Sequence, residues 1–323
     1  MLDIIVTHYK EPWDVGAKFF SMLDLQRGVD FGDFRVILVN DGEENALPDE
    51  HFLNRPYKVE QISIPHAGVS AARNEGIRVA TADWIMICDF DDTFANVYAL
   101  MDILNVLPAD VDLLWSDLYV ERRSENGVVT LDEQGLNGVF NHGKVYRRQF
   151  LLDNDIWFDP FLPYCEDSLF NTVAYTVCKE NRVAKIVTKN MLYIWCDTEG
   201  SVTNTMKNRQ KGRYYTYYRN KKVCEVYKRH RPHDQYCGMI ARTIMDAYYA
   251  LNVRGELEDY MREMKKDFLA WYREHKQEWR SVPYETLKLI KEKSRKCSGP
   301  KNAGTIEEIS VSQWLSTLEK EGM

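Results

Sequence analysis

The sequence predicts an α/β protein: an open sheet wrapped by helices over the first part of the chain, then a helical C-terminal region. Three observations predict it. Short β-branched runs alternate with stretches of helical periodicity up to about residue 205; several of those runs stop on acidic or polar residues; and from about Met206 strand signals give way to long helical patterns.

The first strand is Met1 to Thr7 and the second Phe34 to Asp41, which ends on an acid followed by Gly42. Between them Pro12 to Gln26 carries Val15, Phe19, Met22 and Leu23 at helical spacing. Strand, helix, strand in that order makes a parallel, right-handed unit. A third run, Val59 to Ile64, leads into His66 to Gly76, where Gly68 permits close backbone approach, Ser70 is placed to cap an alanine-rich helix, and Arg73 faces an anion. Neither a Walker loop nor G-x-G-x-x-G occurs.

The next apolar run, Trp84 to Cys88, reads as a fully buried strand and stops at Asp89-Phe90-Asp91-Asp92. Ligands of open parallel sheets bind beyond the carboxyl ends of the strands, so Thr7, Asp41 and Asp89 to Asp92 are expected to converge. Acids crowded there repel one another unless a cation sits among them, and hard oxygen ligands suit Mg²⁺ or Mn²⁺. Taken alone, the same acids serve equally to solvate a turn and cap a helix.

Pro160 and Pro163 mark a loop, Glu166-Asp167 follow, and Phe170, Val173, Ala174 and Val177 mark a helix. A carboxylate at a helix N-terminus is stabilised as an anion, so Asp167 is expected to be ionised at neutral pH and ready to accept a proton. The alternative is that both acids only cap the helix. Leu192 to Trp195 is strand-like.

The succession Ile4-Ile5-Val6-Thr7, Val39-Asn40-Asp41-Gly42, Gly68 to Gly76, Asp89 to Asp92 and Glu166-Asp167 resembles family 2 glycosyltransferases of the GT-A fold over roughly residues 1 to 205. The resemblance implies a Rossmann-like mixed sheet flanked by helices, a nucleotide-sugar donor that is most often UDP-linked, a Mn²⁺ or Mg²⁺ ion, and inverting transfer. By position it implies that Asp41 contacts the uracil or ribose, with Thr7, Tyr9 and Glu11 on the same donor side. Arg73 lies near the diphosphate, Asp89 and Phe90 face the nucleoside or sugar, and Asp91 binds the metal, with Asp92 beside it as support or helix cap. Asp167 is the base that takes the acceptor's proton, and Glu166 positions the acceptor or orients its neighbour. Thr7 departs from the pattern, since many relatives carry proline there.

Asn141 to Arg148 and Asn154 to Phe158 resemble the acceptor-side region, which makes His142, Lys144 and Trp195 acceptor contacts, although a histidine satisfied inside the fold is an equal reading of His142. Gly200 to Thr203 resembles the loop that closes the donor site. Relatives often place a metal-binding histidine in that segment, yet no histidine occurs between His142 and His230. The third metal ligand is therefore water, a phosphate oxygen or an unnamed residue.

At 323 residues the chain has room for two units, a glycosyltransferase domain over 1–205 and a helical region over 206–323 for acceptor binding or oligomerisation. No apolar run reaches the ~18 residues that span a bilayer, and the start lacks a signal peptide's basic flank and cleavage site; a cytoplasmic protein is expected. Seven scattered cysteines without a C-x-x-C pair support neither zinc nor a disulfide framework.

In the C-terminal region Tyr236, Ile240, Ile244 and Tyr248 recur every four residues toward Gly255, a second helix is expected from Leu257 to Trp279, and a third after Pro283. Lys296 to Gly304 reads as a linker and Thr305 with Glu308 as a capping box for a last helix. Net charge is −7, yet residues 207 to 231 hold ten Lys or Arg against Glu225 alone, interleaved with Tyr214, Tyr215, Tyr217, Tyr218 and Tyr227. That pattern suits a polyanion such as nucleic acid, an anionic glycan or a phospholipid surface, or else a solvated helix face. Three functions stand: a metal-dependent glycosyltransferase acting on a bacterial glycan or lipid-linked saccharide, a phage-type enzyme glycosylating modified bases of DNA, and a non-catalytic nucleotide-binding protein.

Overall fold

The computed structural model describes the chain apart from residues 108–109, 125, 136–137, 187–190, 199–208, 253–256, 299–308 and 322–323. Two compact units divide it, residues 1–205 and 206–323. In the first, β1 (Leu2–His8), α1 (Trp13–Asp24), β2 (Phe34–Asp41), β3 (Lys58–Ile64), α2 (Val69–Val79) and β4 (Trp84–Asp89) build a parallel half-sheet in which β1 lies between β2 and β4. Thr7 is in register with both Val39 and Asp89, so the polar strand ends meet at one edge.

The chain continues through β5 (Thr93–Phe94), α3 (Ala99–Val106), β6 (Leu113–Ser116), β7 (Leu118–Arg123), β8 (Val129–Gln134), β9 (Lys144–Arg147), α4 (Arg148–Asp153), α5 (Glu166–Val177), β10 (Val183–Ile186) and β11 (Tyr193–Trp195). The main sheet has seven strands in the order β10-β6-β9-β4-β1-β2-β3, and it is mixed because β9 runs antiparallel to both β4 and β6. Of a second sheet of four strands, β5-β11-β7-β8, the sequence signals only β11, within Leu192 to Trp195.

Period-two alternation sorts the central strands onto two cores. Ile4, Val6, Val36, Leu38, Met86 and Cys88 pack with Phe19, Phe20 and Leu23 of α1 on one face. Ile5, Ile37, Val39, Ile85 and Ile87 pack with Ala72 and Ile77 of α2 and Phe170 and Ala174 of α5 on the other. Helix α2 lies so close that a Cβ on Gly76 would fall 2.3 Å from Ile5 Cγ2. The helix cap differs from expectation: Gly68, at φ 91, occupies the cap position, while Ser70 is inside the helix and donates to the Asp159 carbonyl at 3.2 Å.

The second unit is helical: α6 (Arg209–His230), α7 (His233–Leu251), α8 (Asp259–Glu274), α9 (Lys276–Ser281), α10 (Tyr284–Ser298) and α11 (Val311–Glu321). The helix expected from Leu257 to Trp279 is broken at His275, whose Nδ1 donates to the Trp271 carbonyl at 2.8 Å. Ser310 and Gln313 cap the last helix reciprocally, Ser310 N donating to Gln313 Oε1 and Gln313 N to Ser310 Oγ. Gly255, Thr305 and Glu308 lie outside the described residues.

The tyrosine-rich helix α6 corrects a second expectation. Tyr217 is fully buried in this unit's core, Tyr214, Tyr218 and Tyr227 pack against it, and Tyr217 Oη and Lys221 Nζ both bind Asp267, at 2.7 Å. Arg213 donates to the Tyr249 carbonyl. Apolar spacing along α6, rather than a stacking platform, explains these rings. No helix among the described residues is long and apolar enough to cross a membrane.

Candidate active site

The site is assembled at the carboxyl ends of β1, β2 and β4 from segments far apart in sequence. Asp41, at the end of β2, is 4% exposed and accepts the Ala67 and Gly68 amides at 2.7 and 3.0 Å and His66 Nδ1 at 2.9 Å. Its carboxylate is thereby committed to shaping the loop before α2. The His66 ring, in turn, stacks on Tyr9 with centroids 4.4 Å apart. Glu11 accepts the Tyr9 amide at 2.8 Å, which fixes the turn after β1. Thr7 is half-buried at the strand end. His66 was not singled out from the sequence, because a lone histidine in a loop gives no signal there.

Phe90 is a correction. It is 2% exposed and packs on His8, Trp13 and Phe20, and Gly16 is a glycine because a Cβ would fall 2.2 Å from its ring. Phe90 thus anchors the turn after β4 in the apolar core, while Asp89 before it faces Arg73 and His142.

Asp89 accepts Arg73 Nη2 at 2.7 Å and His142 Nε2 at 3.2 Å. Burial opposes its charge, yet these two cations hold it well below the usual carboxylate range. Asp92 is fully buried, accepts the Cys196 amide at 2.9 Å, and lies 3.1 Å from the same His142 Nε2. Burial lowers the His142 imidazole's basicity, but Asp92 and Asp89 overcome it and push its pKa up to about 10. Asp91 is half-buried and has no cationic partner among the described residues; burial, then Asp92 and Asp89, push it up to about 7.

Arg73 is 4% exposed, and its other arm, Nη1, donates to Glu166 Oε1 at 2.7 Å. Two carboxylates thus hold both ends of the guanidinium, which was expected to lie near a diphosphate. Glu166 opens α5, and Cys165 before it takes a left-handed conformation at φ 64 that turns the chain into the helix. Asp167 accepts the Ser168 amide at 2.6 Å. Burial raises its pKa, as it does for Glu166, although Arg73 works the other way in both. Burial therefore works against the helix terminus and raises the proton affinity of Asp167, which favours a proton-accepting role.

Asn171, one turn further along α5 and 1% exposed, donates to Asn141 Oδ1 and to the Val139 carbonyl and accepts Tyr146 Oη at 2.5 Å. It ties the base-bearing helix to the segment that carries His142, and it went unnoticed in the sequence. Trp195 is half-buried beside His142, with centroids 6.0 Å apart, and packs on Phe140 at 5.3 Å. Lys144 is corrected as an acceptor contact: as a β9 residue it is 2% exposed, its Nζ donates to the Phe140 carbonyl over the Trp115 ring, and burial lowers its pKa to about 7. Gly200 to Thr203 lie outside the described residues.

Two sets of atoms are candidates for a divalent ion. Ligand atoms of Asp89, Asp92 and His142 lie within 4.8 Å of one another, but Arg73 and the His142 proton already balance those acids. Asp91 offers a hard oxygen with no balancing charge, which is the chemistry Mg²⁺ or Mn²⁺ takes.

A mixed sheet with acids at its carboxyl edge, and an acid pair opening a helix joined to them by one arginine, is the layout expected of a GT-A glycosyltransferase. Residues 3–162 match the model of glycosyl transferase family 2, and the chain belongs to that family. It is 27% identical over 178 residues to the poly(ribitol-phosphate) beta-N-acetylglucosaminyltransferase TarS of Staphylococcus aureus, covering 50% of this chain and 30% of that protein. Over 192 residues it is 27% identical to the uncharacterized glycosyltransferase EpsJ of Bacillus subtilis, covering 53% and 55%. The matched stretches thus span from about a third to about half of these relatives. The crystal structure of S. aureus TarS 1-349 in complex with UDP-GlcNAc has the same fold, with a TM-score of 0.64 at 16% identity over 96% of this chain and 99% of that one.

Proposed function

We propose that the protein transfers a sugar, with inversion, from a UDP-linked donor to a hydroxyl of a bacterial glycan or lipid-linked saccharide, with the help of Mn²⁺ or Mg²⁺. The observation that carries this reading is the Asp89–Arg73–Glu166 bridge, because it brings the β4 acids and the Glu166-Asp167 pair, 77 residues apart, into one site. The relative's complex with UDP-GlcNAc makes that sugar nucleotide the first donor to try, and a polyol-phosphate polymer of the kind in that relative's name the first acceptor.

In this reading Tyr9 and His66 border the nucleoside and Asp91 holds the cation. A bound divalent ion supplies positive charge to the departing diphosphate. Asp167 removes the proton of the acceptor hydroxyl as that oxygen attacks the anomeric carbon, and its burial-raised proton affinity suits the task. His142, charged between the buried Asp92 and the half-buried Asp89, keeps both in place, and Trp195 gives the acceptor an apolar wall. Turning the α6 tyrosines into a helical core removes the aromatic support for a nucleic-acid acceptor.

The test is UDP release from a panel of UDP-sugars with and without Mn²⁺, followed by mass spectrometry of candidate acceptors. UDP release that needs Mn²⁺ and rises with one glycan acceptor supports the reading; equal release in EDTA removes the metal, and sugar transferred to hydroxymethylated DNA reassigns the acceptor.

A further inference from the structure

We propose that Arg73 is a positioning residue rather than a diphosphate ligand: its guanidinium sets the distance between the donor-side acids of β4 and the Asp167-bearing end of α5. The inference rests on the glycosyl-transfer reading above. Nη2 donates to Asp89 Oδ1 and Nη1 to Glu166 Oε1, both at 2.7 Å, so swinging the guanidinium outward to a phosphate would break two ion pairs in a buried place, while its Nε donor has no partner among the described residues. Its plane is held from below, with the guanidinium 5.2 Å from the Phe158 ring centroid and Phe158 stacked on Phe170 of α5 at 4.0 Å. The helix that carries Arg73 is itself locked to the chain entering α5. Asn74 brackets Phe158, donating to its carbonyl and accepting its amide at 2.9 Å each, and Ser70 donates to the Asp159 carbonyl. These contacts around Arg73 fix β4 against α5, and a planar two-armed cation is suited to holding two carboxylates on separate elements at a set spacing.

Arg73→Lys separates the two roles. Lysine is a good point-charge partner for phosphate but cannot span two carboxylates, so a positioning role predicts damage where a phosphate-binding role predicts tolerance. The expected result is turnover of UDP-GlcNAc lowered about 10²-fold in Arg73→Lys, the size of loss that goes with an ångström-scale misplacement. Calorimetric UDP binding with Mn²⁺ should stay within about threefold of the unaltered protein. Glu166→Gln, which cuts one arm and leaves Arg73 in place, should give the same split, and the double variant should be little worse than either single one, because both changes break one bridge. Amide hydrogen exchange in the first turn of α5 should rise in each. Arg73→Lys with near-normal turnover, together with Arg73→Gln binding UDP tenfold or more weakly, would overturn the proposal in favour of a phosphate contact. Unchanged exchange in α5 in Glu166→Gln would overturn it as well, and that readout holds even if the protein turns out to use another donor; failure of the unaltered protein to bind any uridine nucleotide counts against the donor reading instead.

Discussion

Asp91→Asn is expected to make the metal-free protein more stable while destroying its activity. Burial and the neighbouring Asp92 and Asp89 raise the Asp91 pKa from 3.8 to about 7. A rise of about 3 units corresponds to roughly 4 kcal/mol of disfavoured charge, an upper bound because Asp91 is only partly buried. The sign follows from the proton count: a folded-state pKa above the unfolded one means that the native state holds its proton longer. The penalty is absent below about pH 4, grows as pH rises toward 7, and is full above it. An amide has no charge to desolvate, so the variant escapes the penalty. In EDTA, the difference in thermal stability between variant and unaltered protein should be only about a quarter of its full size at pH 4.5 and reach about 1–4 kcal/mol at pH 8, a shift of several degrees. Adding Mn²⁺ at pH 8 should stabilise the unaltered protein and not the variant. In parallel, UDP release should fall about 10²-fold or more in the variant. A variant no more stable than its parent at pH 8 in EDTA would refute the account of Asp91 as an unbalanced buried charge.

Three further perturbations probe other links. Asp167→Asn should lower transfer by roughly 10²–10⁴-fold with calorimetric UDP binding unchanged; because burial raises the Asp167 pKa, the unaltered enzyme should lose activity on acidification at a pH above the ordinary aspartate range, and an acid limb near pH 4 would contradict this. Gly76→Ala puts a Cβ 2.3 Å from Ile5 Cγ2 and should cost about 1–3 kcal/mol in urea denaturation, against the usual gain of alanine over glycine inside a helix. Lys221→Gln removes the cation on Asp267 and should cost about 1 kcal/mol or less in the same assay, leaving the salt dependence of acceptor turnover untouched; a flattened salt slope would restore the polyanion reading of α6.

What could be read in the sequence was set by how strongly each segment repeats. The runs ending at Thr7, Asp41 and Asp89 are apolar on both faces because both faces of the central sheet are covered, and such runs with acids at their ends announce strand and site together. Strands β7 and β8 gave no such signal: β8 is exposed nearly throughout, so no buried face imposes alternation on it. Lys144 was expected at the acceptor because Asn141 to Arg148 resembles the acceptor-side region, whereas the pairing of β9 between β4 and β6 buries it. Arg73 was legible as an anion partner but not which anion, since Asp89 and Glu166 lie 16 and 93 residues away and only the packing of α2 against α5 brings both to it. In α6 the tyrosines looked like a binding surface because basic residues at helical spacing hide an apolar stripe whose partners, Phe268 and Trp271, come some 50 residues later.

The antiparallel strand β9 also has a consequence for how the polypeptide is made. It is the wedge between β4 and β6, and its pairing of Trp84 with Arg147 spans 63 residues of sequence. While the chain is being synthesised, β4 and β6 leave the ribosome first, and the apolar edges they turn toward each other stay bare until residues 144–147 emerge. Long-range pairings of this kind close slowly, and open apolar edges recruit other chains. Nascent chains arrested before residue 144 should therefore aggregate or hold on to chaperones, while those arrested some 40 residues beyond β9, once it has cleared the exit tunnel, should let go. Birth of the enzyme would then be paced by a four-residue strand that carries none of its chemistry.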